Sequence, residues 1–303
     1  MTPTLTRRDF LKTSAVTFAA AVAAPVLPAA EENSAATSKR SLKKGIMWET
    51  VGVKGSILEK MKAIKEASFD GVEMMSHMDQ DEVLRARDAT GLIIPSVCGR
   101  DHWSKPLSDP DPKVREVGLE SLKQTLRDGK RYGATSILLV PAVVKKNVSY
   151  ADAYTRSQAE IRKALPLAEE LGVKIATENV WNQFLLSPLE AARYIDEFNS
   201  PAIGWHFDVG NVITYGWPEQ WIRILGKRIQ KLHIKEFSRK KRDKEGLGRG
   251  FDVPLGEGDN DWPAIMKALD EIGYQGWGIA EQPGGDTVEG LRDISERMTK
   301  IFG

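Results

Sequence analysis

From residue 43 onward the chain alternates between short apolar runs and longer amphipathic stretches. The runs fall at 45–48, 71–74, 92–97, 136–140, 173–177, 202–207, 229–234 and 276–280, each rich in Ile, Val or Leu or bounded by Gly, Pro or charge. Continuous apolarity of this kind is the pattern of a strand buried on both faces of a parallel sheet. Between the runs, segments such as 56–67, 111–132, 150–171, 188–198 and 262–272 are predicted helices, with apolar residues at helical spacing. Several end at a glycine just ahead of the next run, at Gly91, Gly133, Gly172 and Gly273, where a left-handed residue closes a helix.

Eight strand–helix units between residues 43 and 303 predict an α/β fold of the (β/α)8 TIM-barrel type. An open doubly wound sheet is the competing architecture, but no G-x-G-x-x-G or G-x-x-x-x-G-K-[ST] follows any run. With no linker or composition shift inside it, 43–303 reads as one catalytic domain.

The residues ahead of it follow a different logic. Thr6-Arg7-Arg8-Asp9-Phe10-Leu11-Lys12 precedes a weakly apolar run from 13 to 24, closed by Pro25 and Pro28. The arginine pair followed by Phe-Leu-Lys resembles a twin-arginine export signal, here assigned to 1–30, with cleavage near Ala30. The run is too short for a stable membrane span, which takes roughly 20 residues. Export would proceed through the twin-arginine machinery to the periplasm, with the chain folded and any metal already loaded. Residues 31–42, rich in Ser, Ala, Glu and Lys, read as a tether.

Composition narrows the chemistry. The 303 residues are 41% hydrophobic and 28% charged, which suits a globular domain with a sizeable core. Lys and Arg total 43 against 42 for Asp and Glu, so nothing marks nucleic acid as a partner. The single cysteine, Cys98, rules out an internal disulfide and any multi-cysteine metal site, and four histidines are too few for a histidine-rich centre.

In a barrel the chemistry sits where the strands end and the βα loops begin. The fifth run stops at Glu178-Asn179, the sixth at Asp208-Val209-Gly210-Asn211, the seventh carries His233 near its end, and the eighth stops at Glu281-Gln282. Four successive strands thus offer Glu178, Asp208, His233 and Glu281 to one mouth. Three carboxylates and one imidazole suit a single divalent ion, Mn2+, Mg2+ or Co2+, or Zn2+. Taken singly, each residue has a plain structural explanation as a cap, loop or core residue; four in one layer do not. Side-chain alternation puts His206 and Asp208 on the inner face with Trp205 and Phe207 outside. His206 then lies one layer below Asp208, as its orienter or as a core histidine. On the seventh strand Lys231, His233 and Lys235 face inward.

These motifs, E-N, D-V-G-N, H-I-K and E-Q, together with Phe69-Asp70-Gly71-Val72-Glu73, resemble the sugar phosphate isomerase/epimerase family of xylose-isomerase-like barrels over about residues 43–303. The resemblance implies a manganese-like ion on Glu178, Asp208, His233 and Glu281, with Glu178 and Glu281 also acting as acid and base. It implies proton abstraction beside a carbonyl through an enediolate, and a small carbohydrate as substrate. Asn211 stands where free-ketose epimerases of this family carry a substrate-contacting histidine. Lys235 and Arg239 are candidate hands for a hydroxyl, carboxylate or phosphate; His102 points toward the same mouth, and Trp48 is placed to stack on a sugar ring. The basic stretch from Arg239 to Lys244 and the glycines at 246, 248 and 250 form a loop, either solvated or a lid. Gly256-x-Gly258-x-x-x-Trp262 shapes the entry to the following helix.

Export favours an unphosphorylated substrate. A metal-dependent lyase acting on a 3-keto-glycoside needs nearly the same site and is the main alternative to an isomerase. An endonuclease IV-like nuclease would need more histidines and a basic cleft; a sugar-binding module that keeps the metal would bind without turnover. Barrels of this family often pair, so a homodimer is compatible with the sequence, although no surface stripe compels one.

Overall fold

The computed structural model describes residues 41–303; the export signal expected at 1–30 and the tether up to residue 40 lie outside the described residues. Eight parallel strands close in sequence order into a barrel. They are β1 (Leu42–Met47), β2 (Gly71–Met75), β3 (Ser96–Cys98), β4 (Ser136–Leu139), β5 (Lys174–Glu178), β6 (Ile203–Asp208), β7 (Ile229–Ile234) and β8 (Gly276–Ala280). The helices are α1 (Ile57–Glu66), α2 (Gln80–Thr90), α3 (Pro112–Tyr132), α4 (Tyr150–Leu171), α5 (Pro188–Asp196), α6 (Pro218–Leu225), α7 (Arg239–Glu245), α8 (Trp262–Glu271) and α9 (Val288–Phe302). Gly133 and Gly172 close α3 and α4 at φ of 81° and 67°. Among the described residues no helix is long and apolar enough to cross a membrane.

Two strands depart from the hydrophobic pattern for identifiable reasons. β1 begins at Leu42, inside the expected tether, and pairs with β8 from Leu42↔Gly276 onward. Its lysines hid it. Lys43 covers the Trp277 ring, and the Lys44 ammonium donates to Ser295 Oγ at 2.8 Å and Thr299 Oγ1 at 2.9 Å on α9, so both stems lie along apolar surface. β3 is shorter than the 92–97 run because Pro95 has no N–H to continue the ladder; upstream, only a Gly71↔Ile93 bridge remains.

The register between β6 and β7 aligns two strand ends at the barrel mouth. It slips after Trp205, with Trp205 opposite Ile229 but His206 opposite Lys231, leaving Gln230 as the extra residue. Gly204 makes room: a Cβ there would sit 2.6 Å from Gln230 Cγ and 2.8 Å from the Arg228 carbonyl oxygen. Beyond the slip, Asp208 stands directly opposite His233. Trp205 and Phe207 face outward, Phe207 stacking on Trp221 of α6. On β8, outward Gly278 is small because Phe302 of α9 packs against it.

Candidate metal centre

Glu178, Asp208, His233 and Glu281 converge as the strand ends required. One ligand atom from each, three carboxylate oxygens and one imidazole nitrogen, lies within 4.8 Å of the others. His233 Nδ1 is 2.8 Å from Glu178 Oε1 and 3.1 Å from Glu281 Oε2. Asp208 and Glu178 are buried, whereas Glu281 keeps 24% of its side chain exposed toward the mouth. The Asp208 backbone is locked first: Asn179 Oδ1 accepts from Asp208 N at 3.0 Å and its Nδ2 donates to Asp208 O at 2.7 Å. Asp208 Oδ1 then accepts from Asn211 N at 2.8 Å. Asp208 Oδ2 has no hydrogen-bond partner although it is fully buried, an arrangement that costs free energy unless something cationic faces it.

The electrostatics report the same crowding. Burial pushes the Asp208 carboxyl up to about 8 despite the nearby Lys235 ammonium. Burial also raises Glu178, against the pull of His233. Glu281 responds oppositely: burial would raise it, but Lys235 and His233 hold it well below the usual carboxylate range. Lys235 Nζ lies 3.0 Å from Glu281 Oε1 and 3.7 Å from Asp208 Oδ2, with the Phe251 ring beneath it at 4.7 Å.

Other expected residues are placed less centrally. Asn211 turns its amide inward, Nδ2 donating to Asn179 O at 3.0 Å, while its backbone carbonyl accepts from Trp181 Nε1 at 3.0 Å. The Arg239 guanidinium donates to the carbonyls of Ile213 (2.9 Å) and Gly216 (3.2 Å) and lies on the Trp217 ring, so it staples the β6–α6 loop. His102 Nδ1 accepts from Val140 N at 3.2 Å, and loss of solvent pushes its pKa down to about 4. Trp48 packs under the Lys60 ammonium at 5.0 Å. His206 lies below Asp208 as parity requires, fully buried with neither ring nitrogen hydrogen-bonded.

Several contributors escaped the strand-end reading. Glu73 on β2, wholly buried, places Oε1 2.9 Å from His233 Nε2, and its Oε2 accepts from Ser96 Oγ on β3. Its inward position on β2 was readable, but a mid-strand acid among apolar neighbours gives no reason to look there. Glu236, also buried, accepts from Gly256 N (2.7 Å), Asn260 N (3.2 Å) and Trp262 Nε1 (2.9 Å). It thereby explains the glycine-rich approach to α8: a Cβ on Gly258 would lie 2.6 Å from Glu236 Oε1. Gln282 completes the clamp, its Oε1 accepting from Glu236 N at 2.9 Å.

The model of the family described as "xylose isomerase-like TIM barrel" matches residues 61–301. L-ribulose-5-phosphate 3-epimerase UlaE of Shigella flexneri serotype 5b (strain 8401) is 26% identical over 264 residues, covering 80% of this chain and 90% of that one. Among solved structures, the apo form of 3-keto-D-glucoside 4-epimerase YcjR from E. coli superposes with a TM-score of 0.71 at 20% identity, covering 86% of this chain and 99% of that one. IOLI protein with a binding zinc atom superposes at 0.72 and 18% identity, over 86% and 98% of the two chains. The chain belongs to the xylose isomerase-like TIM barrel family.

Proposed function

We propose that this chain is an exported, divalent-metal-dependent isomerase that epimerises or isomerises an unphosphorylated sugar by abstracting the proton beside its carbonyl. The observation that carries the reading is the convergence of Glu178, Asp208, His233 and Glu281 from four successive strand ends. The donor set fits a divalent ion. Its oxygens and single nitrogen suit Mn2+ best, with Mg2+, Co2+ or Zn2+ accommodated. The charges agree: with all four carboxylates of Glu73, Glu178, Asp208 and Glu281 ionised and His233 neutral, Lys231 and Lys235 leave a deficit of two charges, which one divalent ion would close in place of the protons that Asp208 and His233 otherwise hold. Asp208 Oδ2, buried without a hydrogen bond, is where such a charge would be most needed.

A divalent ion held by these four residues supplies Lewis-acid stabilisation of the negative charge that develops when a C–H beside a carbonyl is broken. The chain's own residues do the rest. Glu178, raised by burial, is the stronger proton acceptor of the two glutamates. Glu281, held ionised by Lys235 at rest but partly exposed at the mouth, would take a proton from solvent before delivering it on the other side. Returning the proton to the opposite face inverts the centre; returning it to the neighbouring carbon interconverts aldose and ketose. Lys235, held between Glu281 and Asp208 on the face of Phe251, is positioned to meet a substrate oxygen. The names of the relatives, sugar epimerases acting on a phosphopentulose and on a 3-keto-glucoside, support this class.

Export rests on Arg7-Arg8 and the short apolar run after them. Replacing both arginines by lysine should retain the chain in the cytoplasm, and an unchanged periplasmic yield overturns that part alone. The activity is tested by metal analysis of the purified protein, followed by incubation with unphosphorylated keto-sugars and 3-keto-glycosides in D2O. One equivalent of metal and deuterium wash-in at the carbon beside the carbonyl, with substrate mass otherwise conserved, are expected. Release of an aglycone would instead identify a lyase, and neither metal nor exchange would refute the reading.

A further inference from the structure

Below the four-residue set lies a second layer of polar side chains. His233 is the only residue common to both, its two ring nitrogens facing different neighbours: Nδ1 looks up at Glu178 and Glu281, and Nε2 looks down at Glu73 Oε1, 2.9 Å away. A carboxylate can only accept, so without an ion both ring nitrogens donate, Nδ1 to Glu178 and Nε2 to Glu73. An ion seated in the upper cluster would take the place of the Nδ1 proton, while Glu73 keeps the proton on Nε2. Glu73 is in turn fixed by the Ser96 hydroxyl, which donates to its other oxygen, and it faces the Lys231 ammonium, itself tied to Thr135 Oγ1 at 2.8 Å.

We propose, resting on the metal-dependent function, that Glu73 is the positioning residue of the centre: with Ser96 behind it, it holds His233 in the Nε2–H form and aims Nδ1 at the ion. A carboxylate behind a ligating imidazole fixes its tautomer and ring angle and increases its basicity, and losing such a partner commonly costs 10- to 100-fold in metal affinity. The assignment also explains why a carboxylate is buried in mid-strand on β2, far from solvent. Glu73, His206 and His233 have ligand atoms close enough to suggest a second ion instead. Charge argues against it: one divalent ion already balances the interior, and Lys231 faces both Glu73 and His206. His206 Nδ1, 3.8 Å from Glu73 Oε2, is too distant for a hydrogen bond and leaves Glu73 committed to His233 and Ser96.

The test titrates Mn2+ alone into the full chain by competition with a chelator, comparing wild type, Glu73→Gln and Ser96→Ala. The wild type should bind one equivalent. Glu73→Gln, which keeps the shape and removes the charge, should weaken binding by at least about 10-fold, and Ser96→Ala by a smaller factor, while the melting temperatures of the metal-free chains stay close together. Imidazole 15N shifts of the wild type loaded with diamagnetic Zn2+ in place of Mn2+ should show His233 protonated on Nε2 alone; this readout stands even if Glu73→Gln fails to fold. Equal Mn2+ affinity in wild type and Glu73→Gln, a proton absent from Nε2, or two ions per chain would each overturn the positioning role while leaving the metal-dependent function intact. A wild type that binds no ion overturns both.

Discussion

Two aspartates, one in each half of the barrel, are completely buried and are treated in opposite ways. Asp128 on α3, which packs on strands β3 and β4, is fully satisfied: one oxygen accepts from the side-chain amides of Gln80 and Gln124, and the other accepts from His77 N at 2.8 Å. It holds His77 in a left-handed conformation, φ 63°, at the end of β2. Asp208, at the end of β6, keeps one oxygen without a hydrogen bond, with only the Lys235 ammonium 3.7 Å away, and faces two further carboxylates. The difference separates the halves. Strands β1–β4 commit strand-end groups to each other, as where His102 takes the Val140 N–H, and send Glu73 and Ser96 inward to the site. Strands β5–β8 carry the crowded acids. One half is a scaffold, and the other stores unfavourable charge for a purpose.

On that division, the largest effects on turnover belong to the crowded half. Glu178→Gln and Glu281→Gln should each lower turnover by about 10³-fold or more, roughly 4 kcal/mol of barrier, while metal-free stability holds or rises in Glu178→Gln, whose charge burial disfavours, and falls in Glu281→Gln, which loses its ion pairs with Lys235 and His233. Deuterium exchange rates and thermal melts of the same preparations check both effects. Asp128→Ala should do the reverse. Three donors lose a buried charged acceptor, so the fold should weaken by about 3 kcal/mol, with turnover per folded molecule unchanged. A fall in turnover at constant folded fraction would break the division.

The scaffold half also predicts a pH response. His102 is neutral in the folded chain, its pKa pushed down to about 4 from an ordinary 6.5. The unfolded chain therefore takes up the proton first as pH falls, and stability drops between pH 6.5 and 4, being fully present above that window. With the partial exposure of the ring discounted, about 2 kcal/mol is at stake. In His102→Gln, where an amide oxygen can still accept from Val140 N, chemical denaturation across this window should show a flatter slope; an unaltered slope would mean that other groups dominate.

The same contrast explains what could be read from the chain. Fully buried parallel strands are uniformly apolar, so the runs at 229–234 and 276–280 coincide with β7 and β8, and the convergence of the four strand-end groups was legible because strand ends and alternation fix position without knowledge of neighbours. Glu73 was not, because its meaning lies in His233, 160 residues away. Glu236 was equally opaque: adjacent to Lys235, it reads as one more loop charge until the loop folds back to wrap it in N–H groups. Lys43 and Lys44 disguised the start of β1 because a lysine stem buries while its head reaches out. Arg239 and His102 have the right chemistry for substrate hands, yet backbone groups nearby claim them first, and a linear sequence does not show which carbonyls are left unpaired.

Arg239 gives the finest discrimination. Its guanidinium joins α7 to the β6–α6 loop through the carbonyls of Ile213 and Gly216 and lies 4.4 Å from the Trp217 ring centre. These partners leave its role to loop geometry rather than to holding a substrate charge. Arg239→Ala should therefore cost about 1 kcal/mol of stability and raise KM only a few-fold, with kcat nearly preserved, because Asp208 is held from the other side by Asn179 and Asn211. Steady-state kinetics with the substrate found in the D2O screen decide it. A KM raised 100-fold or more would place the guanidinium on the substrate, move part of the crowded half's work into its loops, and require that the two carbonyls find other donors when the sugar binds.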